Sequence, residues 1–233
     1  MTRINTVGVI AAMQIEIDAL KKRLENSETV TYSGIDYVCG TLHGKRIIAA
    51  KCGIGKVFAA VCAQTMILKF APDCIINTGV AGALNPQLHI ADIVIGEKTV
   101  QHDMDTSAIG DPVGLVSGIN VIFFESDKYI VETISRAANE LNYAHIPGTI
   151  ACGDRFVSDA DTKAAIVSNF AADACDMESA AMAQACFING IPFASIRAIS
   201  DGADDGAKMD YPTFAALAAD RGIALTDKFI EIV

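Results

Sequence analysis

The sequence has no run of eighteen consecutive apolar residues, so no membrane-spanning helix is expected. It has no excess of basic residues either: 18 Lys and Arg stand against 28 Asp and Glu, a net charge of −10. That balance argues against a nucleic-acid backbone as partner, which calls for a basic surface. Cysteine is present but its chemistry is missing. The seven cysteines (Cys39, Cys52, Cys62, Cys74, Cys152, Cys175 and Cys186) are odd in number, widely spaced and form no C-x-x-C pair. Packed, reduced thiols of a cytoplasmic protein are the expectation, not disulfides or zinc. There is no G-x-S-x-G elbow, and no Cys–His pair that the sequence brings together, so a covalent nucleophile is unsupported. The N-terminus lacks the stretched apolar core of a signal peptide, because Glu16 and Asp18 interrupt it; strand then helix is the reading there. No internal repeat or low-complexity segment is seen.

What remains is a chain of 233 residues, 52% apolar and 20% charged, long enough for one sizeable domain over residues 1–233. Short apolar runs alternate with helical patterns. Strands are expected at Thr6–Ala12, Tyr32–Leu42, Arg46–Cys52, Asp73–Thr78, Ile90–Thr99, Gly148–Cys152 and from Phe193. Helices are expected after the first strand (Ile15, Ile17, Leu20, Leu24), at Val57–Phe70, Asp127–Leu141, Met177–Ile188 and Tyr211–Ile232. This alternation, with strands apolar on both faces, implies an α/β fold: a single-domain, three-layer α/β/α arrangement with a central mixed, twisted sheet flanked by helices. In such sheets ligands collect at the carboxyl ends of strands. Three expected ends carry glycine or polar chemistry: Gly79–Gly82, Gly153–Phe156 and Ser200–Asp201.

The motifs at those ends read in two ways. In NTGVAGAL the glycines allow a ligand to approach the backbone, or simply make a tight turn; the spacing is not G-x-G-x-x-G. KCGIGKV is too short for a triphosphate loop and lacks its hydroxyl. HDMD, His102–Asp105, offers isolated donors with no second cluster, so a surface loop is preferred to a metal site. Asp176 and Glu178 stand at a helix start, as caps or as ligand-holding carboxylates. Arg197 lies within an apolar strand and must be paired or face a polar cleft, since an unpaired buried guanidinium is too costly. Asp201 closes that strand, and Glu16 follows the first strand. Two carboxylates and an arginine near strand ends suit acid–base chemistry without a metal.

Read together, GVIAAMQIEIDAL, KCGIGKV, INTGVAGAL, HDMD, GDRFVSD, DMESAAMA and RAISDGAD resemble the 5′-methylthioadenosine/S-adenosylhomocysteine nucleosidases of the nucleoside phosphorylase superfamily. The matches run in the family's order over nearly the whole chain. The resemblance implies a nucleoside phosphorylase-like fold and hydrolysis of the N-glycosidic bond of a 5′-modified adenosine, with no cofactor and no metal. It makes Asp201 the general acid at adenine N7, kept protonated by an apolar pocket and oriented by Ser200. Glu16 becomes the residue that activates water, with Arg197 helping to fix carboxylate and water. Glu178 and Met177 fall on the ribose face, Phe156 stacks on adenine, and Val157 bonds its edge through the backbone. Ala81 and Gly82 line sugar and base, with Tyr211 and Ile54 near the 5′ substituent. A homodimer is implied, with the loop 102–118 near a shared pocket.

Three other readings compete: a phosphate-dependent phosphorylase, a catalytically inactive nucleoside binder, and a 6-amino-futalosine hydrolase. Phosphorylases of this superfamily carry an arginine in a G-D-P-x-R segment after the first strand, where this chain has Glu16; Arg46 alone would not hold phosphate. Departures from the nucleosidase pattern are Val80 for a serine, Ala83 for a glycine, Asp176 for a glutamate, and a different loop over 106–117.

Overall fold

The computed structural model describes residues 4–202 and 207–233, the side chains of 207–213 excepted. A ten-stranded mixed sheet runs through it. Its strands are β1 (Thr6–Ala11), β2 (Glu25–Tyr32), β3 (Ile35–Leu42), β4 (Lys45–Lys51), β5 (Cys74–Ala83), β6 (Ile93–Gln101), β7 (Phe123–Glu125), β8 (His145–Cys152), β9 (Ala174–Asp176) and β10 (Phe193–Asp201). The helices are α1 (Asp18–Arg23), α2 (Lys56–Phe70), α3 (Lys128–Glu140), α4 (Ala160–Phe170), α5 (Ser179–Asn189) and α6 (Ala207–Ile232).

The strands follow the order β10-β6-β8-β9-β5-β1-β4-β3-β2, and β10 also pairs with β5. That extra pairing closes five strands on themselves, while β1, β4, β3 and β2 extend as an open wing. β1, β4, β5 and β10 run parallel, so their carboxyl ends share one edge. One core packs α3 and α6 against β1, β6 and β10 through Val9, Ile76, Ile95, Ile134, Ile196 and Phe229. The other packs α2 and α5 on the opposite face through Ile10, Tyr37, Ile48, Met66, Ile75 and Met182. Helices on both faces require strands apolar on both sides, and β10 is buried at every position.

The main departures from expectation have local causes. β5 does not end at Thr78 but continues through Gly79–Gly82, paired throughout with β10. The glycine run is strand, and Gly79 is glycine because a Cβ there would stand 2.9 Å from Glu16 Oε1. β2 (ENSETVTY) is an exposed, charged edge strand with no apolar alternation to betray it. The first helix is split into a 3₁₀ turn at Gln14–Glu16 and the short α1. α4, β7 and β9 also lie in stretches where no element was expected, β7 and β9 being only three residues long.

Candidate active site

The three glycine or polar strand ends meet at one cavity of about 250 Å³. Val80, Ala81 and Gly82 come from β5, Arg155, Phe156 and Val157 from the segment between β8 and α4, and Ser200 and Asp201 from β10. Cys175, Asp176, Met177 and Glu178 add the β9–α5 corner; Ala12, Met13 and Glu16 add the turn after β1. Ile54 stands at the rim, more than half exposed. Of the expected site residues whose side chains are described, all but Arg197 line this space. The side chain of Tyr211 lies outside the described residues.

Glu16 is 3% exposed, and both of its carboxylate oxygens are engaged by main-chain amides. Met13 N–H donates to Oε2 at 2.7 Å and Val80 N–H to Oε1 at 3.0 Å. The 3₁₀ turn brings the side chain back toward Met13, and Gly79 leaves the room it occupies. Burial pushes the Glu16 carboxyl above the ordinary 4.5, while the Val80 and Met13 N–H groups and the Arg197 charge pull the other way.

Asp201, 2% exposed, lines the same cavity. The β10–β5 register shifts between Ile199 and Asp201, opposite Ala81 and Gly82. Regular strand geometry would point Ser200 and Asp201 to opposite faces; this irregularity lets both line the same cavity. Ser200 Oγ donates to Asp201 Oδ2 at 2.9 Å, and Lys163 Nζ of α4 donates to the Gly202 carbonyl just beyond, at 2.7 Å.

Arg197, 1% exposed, lies beneath the cavity and not in its lining. Its Nε donates to Asp176 Oδ2 at 2.7 Å, and its Nη2 bonds Asp176 and Asn77 Oδ1. Nη1 donates to the carbonyls of Ile196 at 2.9 Å and Asn77 at 3.2 Å. The guanidinium is paired, as its burial demands, and it acts on Glu16 and Glu178 through its charge. Asp176 therefore does two jobs: it neutralises Arg197 and accepts from Ser179 Oγ (2.8 Å) and N–H (3.2 Å) at the start of α5.

Glu178 makes no cap bond to that helix. It reaches across the cavity rim, where Gly55 N–H donates to its Oε1 at 2.8 Å. Burial, with the Asp176 charge added, pushes its carboxyl up to about 7. Glu16, Asp176 and Glu178 thus line the cavity with Arg197 beneath them, leaving a formal surplus of negative charge.

Sequence reasoning missed Asn77, Met13, the close approach of Glu16 to Gly79 and the Asp176–Arg197 pairing. Asn77 carried a signal of the same kind as Arg197, a polar residue inside an apolar strand; it is 1% exposed and also donates to the Ile10 carbonyl at 3.0 Å. HDMD serves as a loop clasp: Asp103 binds Lys56 and the Asp154 N–H. Among the described residues there is no cluster of three or more His, Cys, Asp or Glu placed to hold a metal ion.

The family model for the phosphorylase superfamily matches residues 6–231. A 5′-methylthioadenosine/S-adenosylhomocysteine nucleosidase of Staphylococcus saprophyticus is 35% identical over 228 residues, covering 97% of this chain and all of that protein. The crystal structure of the nucleosidase of the same name from Neisseria meningitidis, in complex with methylthio-immucillin-A, is 39% identical with a TM-score of 0.96, covering 99% of this chain and 100% of its own. A futalosine hydrolase structure from Helicobacter pylori superposes with a TM-score of 0.95 at 32% identity, covering 99% of each chain. With two buried carboxylates, Glu16 and Asp201, lining one cavity on this fold, the chain belongs to the phosphorylase superfamily and, within it, to the 5′-methylthioadenosine/S-adenosylhomocysteine nucleosidase family.

Proposed function

We propose that the protein hydrolyses the N-glycosidic bond of 5′-substituted adenosines, such as 5′-methylthioadenosine and S-adenosylhomocysteine, releasing adenine. The observation that carries this reading is the placement of Glu16 and Asp201 as buried carboxylates lining one cavity. Asp201 donates its proton to adenine N7 as the C1′–N9 bond breaks and that bond's electron pair passes into the base. The ribose becomes oxocarbenium-like. Glu16 takes a proton from water, whose oxygen bonds to C1′. Solvent then returns Asp201 to its acid form and Glu16 to its anion. No metal or cofactor is needed, because both charge developments are met by positioned carboxyl groups.

The rest of the cavity suits this substrate. Phe156 offers a ring face and Val157 main-chain groups to a purine; Ala81, Gly82 and Met177 flank the sugar. Glu178 is the acceptor for ribose hydroxyls. A phosphorylase needs cations where phosphate would sit, and the described lining holds Arg155 alone, next to Phe156. Arg197 is committed to Asp176, and Arg46 is exposed at the start of β4, on the strand's far end. The carboxylate of Glu16 would repel phosphate and suits water.

The apolar rim suits a second copy of the chain. Ile54, Val57, Phe58 and Val61 are exposed together at the start of α2, and Ile109 is exposed in the loop 102–118. Such exposed apolar side chains on a chain of net charge −10 are of the kind that an interface covers. A homodimer is read from it, to be checked by light scattering across a dilution series. The catalytic reading is tested with methylthioadenosine in phosphate-free buffer: adenine is expected at full rate. Release that appears only when phosphate is added would replace hydrolysis by phosphorolysis.

A further inference from the structure

We propose that Asp103 is a positioning residue for Glu178: it ties three loops at the cavity rim into one unit, and so fixes the Gly55 amide that holds the Glu178 carboxyl. This deepens, and rests on, the reading of Glu178 as the acceptor of ribose hydroxyls.

The three loops follow β4, β6 and β8; His102 N–H, at the start of the second, donates to the Cys152 carbonyl at the end of β8 at 2.9 Å, and the next residue carries the link further. Asp103 bridges them with both of its oxygens. Oδ1 accepts from Lys56 Nζ at 2.6 Å, and Oδ2 accepts from Asp154 N–H at 2.9 Å. Asp154 closes the ring by accepting from Lys56 N–H at 2.7 Å. Lys56 Nζ also donates to Gln101 Oε1 at 3.2 Å, and Gln101 bonds Gln184 of α5.

The neighbour of Lys56 is Gly55, with φ of 100° and ψ of 162°, a conformation open in practice only to glycine. The Asp154 carboxylate crowds it: a Cβ on Gly55 would stand 3.0 Å from Oδ1. The Gly55 peptide is therefore held by its neighbours, and its N–H has one direction to point, toward Glu178. Burial opposes the Asp103 charge, but the bonds from Lys56 and Asp154 outweigh it and hold its carboxyl below the ordinary range. Asp103 is thus an anion at neutral pH.

A merely stabilising loop clasp predicts something different. A partly exposed ion pair contributes about 0–1 kcal/mol to folding, and its loss would leave ribose recognition untouched. Asp103→Ala is expected to raise KM for methylthioadenosine about tenfold, with kcat changed much less and with little change in melting temperature. Asp103→Asn, which keeps an acceptor, is expected to recover part of the loss. In a Glu178→Gln background Asp103→Ala is expected to add less than about twofold, because the group it positions is already gone. Lys56→Met, which breaks the same pair from its other end, reports independently should Asp103→Ala fold poorly.

Full additivity of Asp103→Ala and Glu178→Gln would overturn the proposal. So would an unchanged KM in both Asp103→Ala and Lys56→Met while Glu178→Gln still raises it. An unchanged KM in Glu178→Gln itself would overturn the ribose reading underneath.

Discussion

The two carboxylates Glu16 and Asp201 are buried to the same degree, yet the donors that meet them differ in kind. Glu16 has each oxygen engaged by a main-chain N–H, and an N–H can only donate. That arrangement is satisfied by the anion, the form that takes a proton from water. Among the contacts of Asp201 is the hydroxyl of Ser200, which can rotate to donate or to accept and so serves either protonation state. That is the requirement for a group that arrives with a proton and leaves without it. Burial by itself raises any carboxyl; the donors around it decide whether it works as acid or base.

The contrast breaks most decisively at the carboxyls themselves. Asp201→Asn and Glu16→Gln should each lower kcat by about 10²–10⁴, the usual range for a lost general acid or base. Pre-steady-state adenine release in quenched flow would check them, and near-normal turnover in either variant would remove that residue from the chemistry. Gly79→Ala should damage one side alone. Its Cβ would meet Glu16 Oε1 at 2.9 Å and Arg197 Nη1 at 3.5 Å. A loss in kcat of about 10²-fold is expected from displacing the water-activating group, with adenine affinity, read by calorimetry, unchanged.

Ser200→Ala sharpens the other side. Losing one hydrogen bond of about 1–1.5 kcal/mol should cost roughly tenfold in kcat, while the protein melts normally. The effect furthest from the chemistry is one of stability. Folding raises the Glu178 carboxyl from 4.5 to about 7, so the folded state binds more protons than the unfolded between those values. Stability contributed by that proton is present at low pH and is lost as pH rises through about 7. Glu178→Gln should therefore raise the melting temperature at pH 8 by a few degrees, on the order of 2 kcal/mol, and have little effect at pH 4.5. An equal shift at both pH values would show that the carboxyl is not strained.

Much of the fold was legible because its strands are short apolar runs with glycine, proline or polar punctuation. β10 shows the limit of that signal. Its apolar residues mark a buried strand, and Arg197 within it demands a partner, but nothing in the spacing says that the partner is Asp176, twenty-one positions back, together with Asn77, 120 positions back. Arg197, expected to help fix the Glu16 carboxylate and water, sits beneath the wall, from where its charge reaches Glu16. Glycine misled in β5, where Gly79–Gly82 was expected as a loop. Glycine signals either a turn or a close approach, and here a glutamate from another element makes the approach. β2 stayed invisible because an exposed edge strand has no buried face to pattern.

On its own, the sequence determined which tools this protein carries. Carboxylates at strand ends, an arginine inside an apolar strand and ordered motifs are local properties, dictated by burial cost and backbone preference. Only the tertiary structure decided how they are shared. A register shift of one residue turned Ser200 and Asp201 to the same face, a missing Cβ at Gly79 admitted Glu16, and Asp103 joined loops from three strands. Those outcomes depend on distances between segments far apart in the chain, and packing sets them to within tenths of an ångström.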